Sequence, residues 1–320
     1  MKAIRVTEFG GPEVLQVTEI PDPVPGPGEV LVRVHAAGVN PVETYIRSGK
    51  YAALPPLPYT PGNDAAGRIE ALGPDVTGVN PGDRVYVAGS ITGTYAELCL
   101  CPAMSVHPLP AAIGFSQGAA LGVPYSTAHY ALFHRGQARS GETVLVHGGT
   151  GGVGLAAIQF ARAAGLTVFA TGGTEAGRAL LQQQGVHAVF DHSTPDYLAA
   201  INDRTGGRGV DLIIEMLANV NLRNDLLLLA AHGRVIVVGS RGPIEINPRD
   251  AMVRDADIRG VMLAQAAPEV VQEVHRAIVG GLTDGSLQPV VGRQFALPEA
   301  PQAHEAVMAP GAGGKIVLVL

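Results

Sequence analysis

The chain lacks the features that mark several classes of protein. Tryptophan is absent, and the two cysteines, Cys99 and Cys101, are too few for a disulfide framework or a four-thiolate zinc site. No segment reaches the ~18 uninterrupted apolar residues of a membrane helix, and the strand-like start has no apolar secretory-signal region. Positive charge is scarce, because 22 Lys and Arg residues stand against 28 Asp and Glu residues. We therefore expect a cytoplasmic protein that binds neither membranes nor, as its main partner, nucleic acid.

The remaining composition predicts a folded chain of two domains. With 320 residues, 47% of them hydrophobic, the chain is long enough for two sizeable cores. Residues 1–122 read as short β-rich runs separated by Gly and Pro turns, which indicates a small β barrel or sandwich. Residues 123–264 alternate strand and helix, the pattern of a doubly wound parallel sheet of the α/β class. Residues 265–320 break this alternation, and we expect them to return to the first domain, which makes that domain discontinuous.

One segment carries the chief functional signal, a glycine motif between a predicted strand and a predicted helix. The apolar run Val144–Val146 predicts a buried strand, and Leu155–Arg162 has apolar residues at helical spacing. Between them lies a complete G-x-G-x-x-G, formed by Gly149, Thr150, Gly151, Gly152, Val153 and Gly154. The glycines allow a tight turn, close approach of the backbone to a diphosphate, and close packing of helix on strand. In this context the motif predicts a dinucleotide site, and in a chain with 42 glycines a purely structural turn is the alternative.

The end of the second predicted strand of this domain bears on which dinucleotide binds. NAD-binding units hold the ribose hydroxyls with an acidic residue about 20 positions after the glycines. Here the strand ends in Thr171-Gly172-Gly173-Thr174, without a carboxylate. Because no acid would repel a 2′-phosphate, the sequence favours NADP(H). Arg178, His192 and the Gly173 backbone N–H are the candidate phosphate ligands, and a solvated helix face is the alternative for Arg178.

Polar residues outside the glycine motif supply further candidates. Asn40 and Tyr45 are the groups that we expect near a bound nicotinamide, with Tyr45 stacking or donating a hydrogen bond to a reduced oxygen. The alternative is that Asn40 only caps the following helix and that Tyr45 only packs. Tyr51 and Tyr59 are further candidates for a cleft wall. Arg241 follows a predicted strand and is expected either to contact phosphate or ribose, or to pair with a surface carboxylate.

The whole chain resembles the medium-chain dehydrogenase/reductase superfamily. The resemblance is carried by Gly38–Tyr45, Tyr59–Gly67 and the glycine motif. The order of the domains matches too: a small β domain, a dinucleotide-binding unit, and a last segment that returns to the first domain. Within the superfamily, four segments closely resemble the zeta-crystallin type of quinone oxidoreductase: Pro41–Gly49, Val144–Gly154, Glu215–Asn221 and Arg234–Asp250. The resemblance implies a Rossmann domain and a GroES-like domain, NADPH as cofactor, and quinones as substrates. It also implies a homodimer or homotetramer formed partly through the nucleotide domains.

A set of cofactor contacts is also implied by this resemblance. They fall in both predicted domains, in the glycine motif and after several predicted strands. In this sequence they are Tyr45, Thr150, Gly151, Gly152, Val153, Gly173, His192, Asn221, Val238, Gly239, Ser240, Arg241, Val261, Met262 and Leu263.

Metal ligands are where this chain differs from other members of the superfamily. Zinc alcohol dehydrogenases carry a cysteine and a histidine where this chain has Asn40 and Asn63, and the four-cysteine structural lobe is missing too. The ten histidines are scattered without ligand spacing, so we expect no metal site. Without a Lewis acid the acceptor has to be electrophilic already, so quinones fit best and enones or alkenals come next. We expect hydride transfer in a dry cleft between the domains, where positioning supplies much of the rate.

Two alternatives to a quinone reductase stay open at this point. An NADPH-dependent reductase of activated carbon–carbon double bonds needs the same cofactor and the same metal-free cleft, so the sequence separates the two poorly. A nucleotide-binding structural or RNA-binding protein is permitted by the resemblance to a crystallin. The net charge of −6 argues against RNA as the main partner of such a protein.

Overall fold

The structure, a computed structural model, describes residues 1–311 and 313–320 of the chain. In chain order the strands are β1 (Lys2–Arg5), β2 (Gln16–Glu19), β3 (Glu29–Val39), β4 (Asp64–Leu72), β5 (Arg84–Ala88), β6 (Leu98–Pro102), β7 (Val106–Pro108), β8 (Thr143–Val146), β9 (Thr167–Thr171), β10 (Ala188–Phe190), β11 (Val210–Glu215), β12 (Leu229–Val237), β13 (Asp257–Gly260), β14 (Val291–Ala296) and β15 (Lys315–Val319). The helices are α1 (Pro41–Arg47), α2 (Phe115–Gly118), α3 (Gly122–His129), α4 (Gly152–Ala163), α5 (Glu175–Gln183), α6 (Tyr197–Arg204), α7 (Ala218–Leu228), α8 (Pro248–Met252), α9 (Pro268–Asp284) and α10 (Ala300–Met308).

The first of two units comprises Met1–Val123 and Ala277–Leu320. Its main sheet has the strand order β14-β15-β3-β4-β5-β7, and β6 also pairs with β3. The long strand β3 organises this sheet, because it pairs antiparallel with β4, β6 and β15. Apolar residues of β3, β4 and β15 share one core, which includes Val32, Ile69 and Ile316. The last strand of the chain therefore lies beside the third.

The second unit, Pro124–Arg276, is built on a parallel sheet. Its strand order is β10-β9-β8-β11-β12-β13. With β8 counted first, this order is 3-2-1-4-5-6, that of a doubly wound dinucleotide-binding sheet, and it confirms the predicted α/β class. Leu145, Phe169 and Ile213 of the sheet pack with Leu226 of α7 in one buried core. The order reverses beside β8, so the carboxyl ends of β8, β9 and β11 surround the place where such folds bind ligands.

Two segments of the second unit differ from their sequence predictions. Residues 229–231, whose leucine and alanines favour a helix, instead begin β12. They do so because the strand pairs with β11 at Leu229 and, after a register shift, again from Arg234, and this tertiary pairing overrides the helical propensity. The sixth strand of the sheet, predicted at Ile258–Leu263, is shorter and ends at Gly260.

The helix α9 extends past its predicted end and contains the boundary between the units. The sequence predicts a helix at Pro268–Val279, whereas α9 ends at Asp284. At Gly281 a Cβ atom would lie 2.5 Å from Leu287 Cγ, so this glycine serves packing rather than helix termination. The division between the two units falls after Arg276, within this unbroken helix and without a linker. Neither α9 nor any other helix among the described residues combines the length and apolar character that crossing a membrane requires.

Candidate active site

The glycine motif lies in the segment that joins β8 to α4. β8 is buried, and Gly148 follows it with a left-handed backbone at φ +59°. α4 begins at Gly152 after the extended Gly151, and no side chain caps this end of the helix. A Cβ atom at Gly154 would lie 2.5 Å from the Gly148 carbonyl oxygen, so only glycine allows the helix this close to the loop. The first-turn N–H groups have no intrahelical partners and are available to a diphosphate. The other members of the motif, which complete the loop and this turn, are Gly149, Thr150 and Val153.

The carboxyl ends of the parallel strands form the predicted nucleotide edge, and its second part lies where β9 and β10 end. Gly173 lies against His192, since a Cβ atom on Gly173 would be 2.7 Å from His192 Nε2. Burial lowers the pKa of His192, and the charge of His147 lowers it further, so the ring is neutral at pH 7. Arg178 of α5, a predicted phosphate ligand, has its Nη1 2.6 Å from Asp191 Oδ2. β9 itself ends without a carboxylate, but Asp191 brings one to this part of the edge. Its place directly after β10, which pairs with β9, is a signal that could have found it.

The ends of β11, β12 and β13 carry the remaining predicted contacts of this unit. Glu215, the last residue of β11, accepts hydrogen bonds from Asn221 Nδ2 at 3.2 Å through both of its oxygens, and from Leu217 N–H. After β12, Arg241 N–H donates to Asn219 Oδ1 at 2.8 Å, which fixes the loop that carries the Arg241 side chain. The other predicted contacts, which directly follow β12 and β13, are Val238, Gly239, Ser240, Val261, Met262 and Leu263. The predicted contacts of this unit therefore lie along the carboxyl edge of one sheet, where dinucleotides bind in doubly wound folds.

A buried charged cluster at the same edge is not predicted by the sequence. His147 directly follows β8, and its Nε2 lies 3.0 Å from Asp225 Oδ1 of α7 and 3.9 Å from Glu215 Oε2. Within the described ranges these three side chains form a grouping of possible metal ligands, which the spacing of the histidines in the sequence does not reveal. The three residues are far apart in the chain, and only the fold brings them together.

Asn40 of the other unit lies between β3 and α1 and is 2% exposed. Its Nδ2 donates to Asp64 Oδ2 at 2.9 Å and to Glu43 Oε1 at 3.2 Å, and its Oδ1 accepts a hydrogen bond from the Lys315 ammonium. The Asn40 backbone N–H donates to Glu43 Oε2 at 3.0 Å, which fixes the start of α1. The nitrogen and the oxygen of this amide are thus both engaged by side chains of the protein, and the amide makes no capping hydrogen bond to the backbone of α1.

The Lys315 ammonium balances two buried carboxylates beside Asn40. Its Nζ lies 3.3 Å from Asp64 Oδ2. Glu43 accepts the Tyr95 hydroxyl at 2.6 Å, and burial raises the pKa of Glu43 while the Lys315 charge and this hydrogen bond offset part of the rise. On the other side of Tyr95, His304 Nε2 lies 3.1 Å from the hydroxyl, and burial lowers the pKa of His304 to about 3. His304 is therefore neutral, and Lys315 is the cation of this cluster.

Tyr45 lies on α1 and is half-buried. A groove of about 710 Å³ in the same unit is lined by residues that include Ile46, Tyr59 and Asn63. Tyr45 is not among the lining residues, although it directly precedes Ile46 in the chain. Burial raises the pKa of Tyr59 to about 12, so its hydroxyl stays protonated. Of the two tyrosines predicted for a cleft wall, Tyr59 lines the groove and Tyr51 does not.

Comparison with known proteins identifies the family. Residues 26–111 match the family model described as alcohol dehydrogenase GroES-like domain, and residues 152–279 match the one described as zinc-binding dehydrogenase. A human quinone oxidoreductase is 51% identical over 322 residues, which cover 100% of this chain and 98% of that relative. Among solved structures, a mycobacterial protein complexed with NADPH has a TM-score of 0.91 at 31% identity, and an NAD-dependent alcohol dehydrogenase has 0.93 at 29%, each over 100% of both chains. The chain therefore belongs to the quinone oxidoreductase family, of the zeta-crystallin type, within the medium-chain dehydrogenase/reductase superfamily.

Proposed function

We propose that the protein is an NADPH-dependent quinone oxidoreductase. The observation that carries the proposal is the full-length identity of 51% to a quinone oxidoreductase, which includes the glycine loop and its uncapped helix. Fold alone would not decide the activity, because one fold serves many reactions. The residues at the nucleotide edge and beside Asn40 therefore have to fit a nicotinamide cofactor and a suitable acceptor.

The nucleotide edge fits NADP(H). The close contact at Gly154 and the uncapped start of α4 suit a diphosphate held by backbone N–H groups. Gly173, Arg178 and His192 are proposed to hold the 2′-phosphate. Asp191 already pairs with Arg178 and therefore competes with the phosphate for its guanidinium. Asn221 and the loops after β12 and β13 are proposed to supply the other contacts. When bound, the reduced nicotinamide supplies a hydride to the acceptor.

Zinc does not fit the residues beside α1, although one matching family model is described as zinc-binding. Asn40 and Asn63 stand where the zinc enzymes of the superfamily have ligands, and a neutral amide is not a usual zinc ligand. The Asn40 oxygen is also engaged by the Lys315 ammonium, and a positive charge at this place repels a metal ion. We therefore derive no step through a metal at this place and propose an acceptor that needs no Lewis acid.

A quinone is such an acceptor, because its conjugated ring spreads the charge that a hydride delivers. The groove lined by Ile46 and Tyr59 offers apolar and aromatic surface to a planar ring. Tyr45 is proposed to contact the ring or to donate a hydrogen bond to the reduced oxygen. Asn40, whose amide is engaged within the protein, is proposed to hold α1, and with it Tyr45, rather than to touch the substrate.

Absorbance measurements of NADPH oxidation test this function. We expect turnover with ortho- and para-quinones at a rate that a chelator does not change. Tyr45→Phe should lower kcat/KM by about tenfold, the effect of losing one hydrogen bond, while Tyr51→Phe is the matched control and should leave it unchanged. Failure to turn over any quinone would refute the proposal, and NADPH binding without turnover would favour a structural role. A higher rate with an enone than with quinones would assign the protein to carbon–carbon double-bond reduction.

A homodimer or homotetramer is proposed for the assembly. β13 is the edge strand of the parallel sheet, and Ile258 on it is 42% exposed. Met252 and Val253 at the end of α8 are 74% and 66% exposed. An open strand edge beside exposed apolar side chains is typical of a surface that pairs with another chain. Light scattering coupled to gel filtration measures the state, and a monomer at all concentrations would contradict it.

A cytoplasmic location is likewise proposed. Cys99 and Cys101 are buried free thiols whose sulfurs lie 3.7 Å apart. Free thiols this close persist in a reducing compartment, which supports the proposal. Cell fractionation with antibody detection tests it directly.

A further inference from the structure

The buried cluster of His147, Glu215 and Asp225 has contacts that the proposed function does not use. Side-chain exposure is 3% for His147, 0% for Glu215 and 1% for Asp225. Burying two carboxylates is costly unless a positive charge or hydrogen bonds compensate. The imidazole of His147 is the group placed to do so, because its Nε2 lies between the two carboxylates.

This cluster is bonded to two parts of the nucleotide edge at once. On one side, His147 Nδ1 lies 3.3 Å from Thr171 Oγ1, which accepts a hydrogen bond from Gly148 N–H at 3.3 Å at the start of the glycine loop. On the other side, Glu215 accepts the Asn221 amide and the Leu217 N–H. One imidazole therefore links the loop proposed to hold the diphosphate with a side chain proposed to contact the cofactor.

The charges around His147 decide its protonation. The groups that face it or its partners come from five elements: Thr171 of β9, His192 after β10, Tyr197 of α6, Glu215 of β11 and Asp225 of α7. Burial lowers the pKa of His147, but the 3.0 Å contact of its Nε2 with Asp225 and the charges of both carboxylates outweigh this, so the pKa lies above its usual value. The imidazolium therefore persists to higher pH than in a free histidine, with a proton on each nitrogen to donate.

We propose that His147 is a positioning residue of the nucleotide site: its imidazole holds Glu215 and Thr171, and through them Asn221 and the glycine loop, in the arrangement that binds NADPH. The proposal rests on the proposed function. It follows that NADPH binds more weakly when the imidazole is removed, because Thr171 then loses a partner and the two buried carboxylates lose the group that lies between them. The hydrogen bonds that Glu215 accepts are the first to be disturbed, since its oxygens also face His147.

The test is the dissociation constant of NADPH for the full chain, measured by fluorescence or calorimetry at pH 7. His147→Gln should weaken binding by about tenfold, the effect of about one lost hydrogen bond. Saturating NADPH should restore most of kcat with a quinone, so the loss appears in KM for NADPH. His232→Asn removes the exposed His232–Asp255 pair of the same unit and is the matched control.

A second variant keeps the test sharp where His147→Gln fails to fold. Asp225→Asn leaves the imidazole in place but removes the charge nearest to it, so the imidazole is held less firmly and NADPH should again bind more weakly, with kcat restored at saturating NADPH. An NADPH affinity equal to that of the wild type in both variants overturns the proposal. So does one equivalent of tightly bound metal whose removal by a chelator reproduces the His147→Gln affinity, since the cluster would then be a metal site. A wild type that does not bind NADPH refutes the proposed function itself.

Discussion

Both units of this protein bury two carboxylates against one cation, and the two clusters differ in which cation they use. In the first unit Lys315 stands beside Asp64 and Glu43. In the second, His147 stands between Glu215 and Asp225. A lysine ammonium stays charged through the physiological pH range, whereas an imidazole can lose its charge within it. The same charge balance therefore uses an ammonium group in one unit and an imidazole in the other.

Hydrogen bonding separates the two clusters further. Asp64 accepts hydrogen bonds from Val123 N–H at 2.8 Å and from Asn40 Nδ2 at 2.9 Å, in addition to its contact with Lys315. Within the described residues neither oxygen of Asp225 takes part in a hydrogen bond, so its ion pair with His147 is its main compensation. Asp64 is therefore held by several donors, whereas Asp225 relies chiefly on His147.

The largest expected effect is on stability, from removing Lys315. Lys315→Met leaves Asp64 and Glu43 buried without their cation, and losing one partner of a buried pair costs about 3–5 kcal/mol. We expect the free energy of unfolding of the first unit to fall by this amount in chemical denaturation followed by circular dichroism. Arg33→Gln, which breaks the exposed Arg33–Glu70 pair, is the control and should cost less than about 1 kcal/mol.

A double variant identifies the cause of that loss. Lys315→Met combined with Asp64→Asn removes one negative charge together with the cation, so part of the stability should return. If the double variant is as unstable as the sum of the single variants, the loss comes from packing and the charge comparison between the units fails.

The next effect is on the pH dependence of stability and should separate the units. Since the pKa of His147 is raised in the folded protein, its contribution is complete below the unfolded value of about 6.5 and is lost as pH rises through the folded value. Burial also raises the pKa of Glu215 to about 7, so its contribution to stability is lost as pH rises from its unfolded value to about 7. We expect denaturation curves of the second unit to weaken from pH 6.5 to 9, and His147→Gln to flatten this trend. A first unit that weakens equally would contradict the comparison.

The smallest effect concerns the partly exposed pair of Arg178 and Asp191. Asp191→Asn releases the guanidinium, so NADPH should bind a few-fold tighter relative to NADH, and Arg178→Gln should shift the ratio the other way. Neither should change the free energy of unfolding measurably, because the pair is partly exposed to solvent. Arg208→Gln is matched, because Arg208 and Asp211 have the same 2.6 Å distance at the amino end of β11. If the ratio of NADPH affinity to NADH affinity is unchanged in both variants, Arg178 does not contact the 2′-phosphate.

Local patterns in the sequence are sufficient to predict the sheet class and the nucleotide edge. The run Val144–Val146, the glycines and the following helix lie within about one βαβ unit, so the signal needs no distant partner. The buried clusters lack such a signal. Lys315 reaches Asn40 only because β15 pairs with β3, and His147 reaches Asp225 only because α7 packs on the sheet that contains β8. From the sequence alone, a lysine or a histidine is expected at the surface. Lys315 and His147 are buried instead because elements far apart in the chain pack around them.

The position of Lys315 in β15 has a consequence for biosynthesis. The ribosome completes residues 124–276 before it makes the strand that carries this lysine, so the nucleotide unit can fold while Asn40, Glu43 and Asp64 still lack their cation. The first part of the chain to emerge is thus among the last to be completed, and nascent chains stopped short of β15 should hold a protease-resistant second unit beside a susceptible first one.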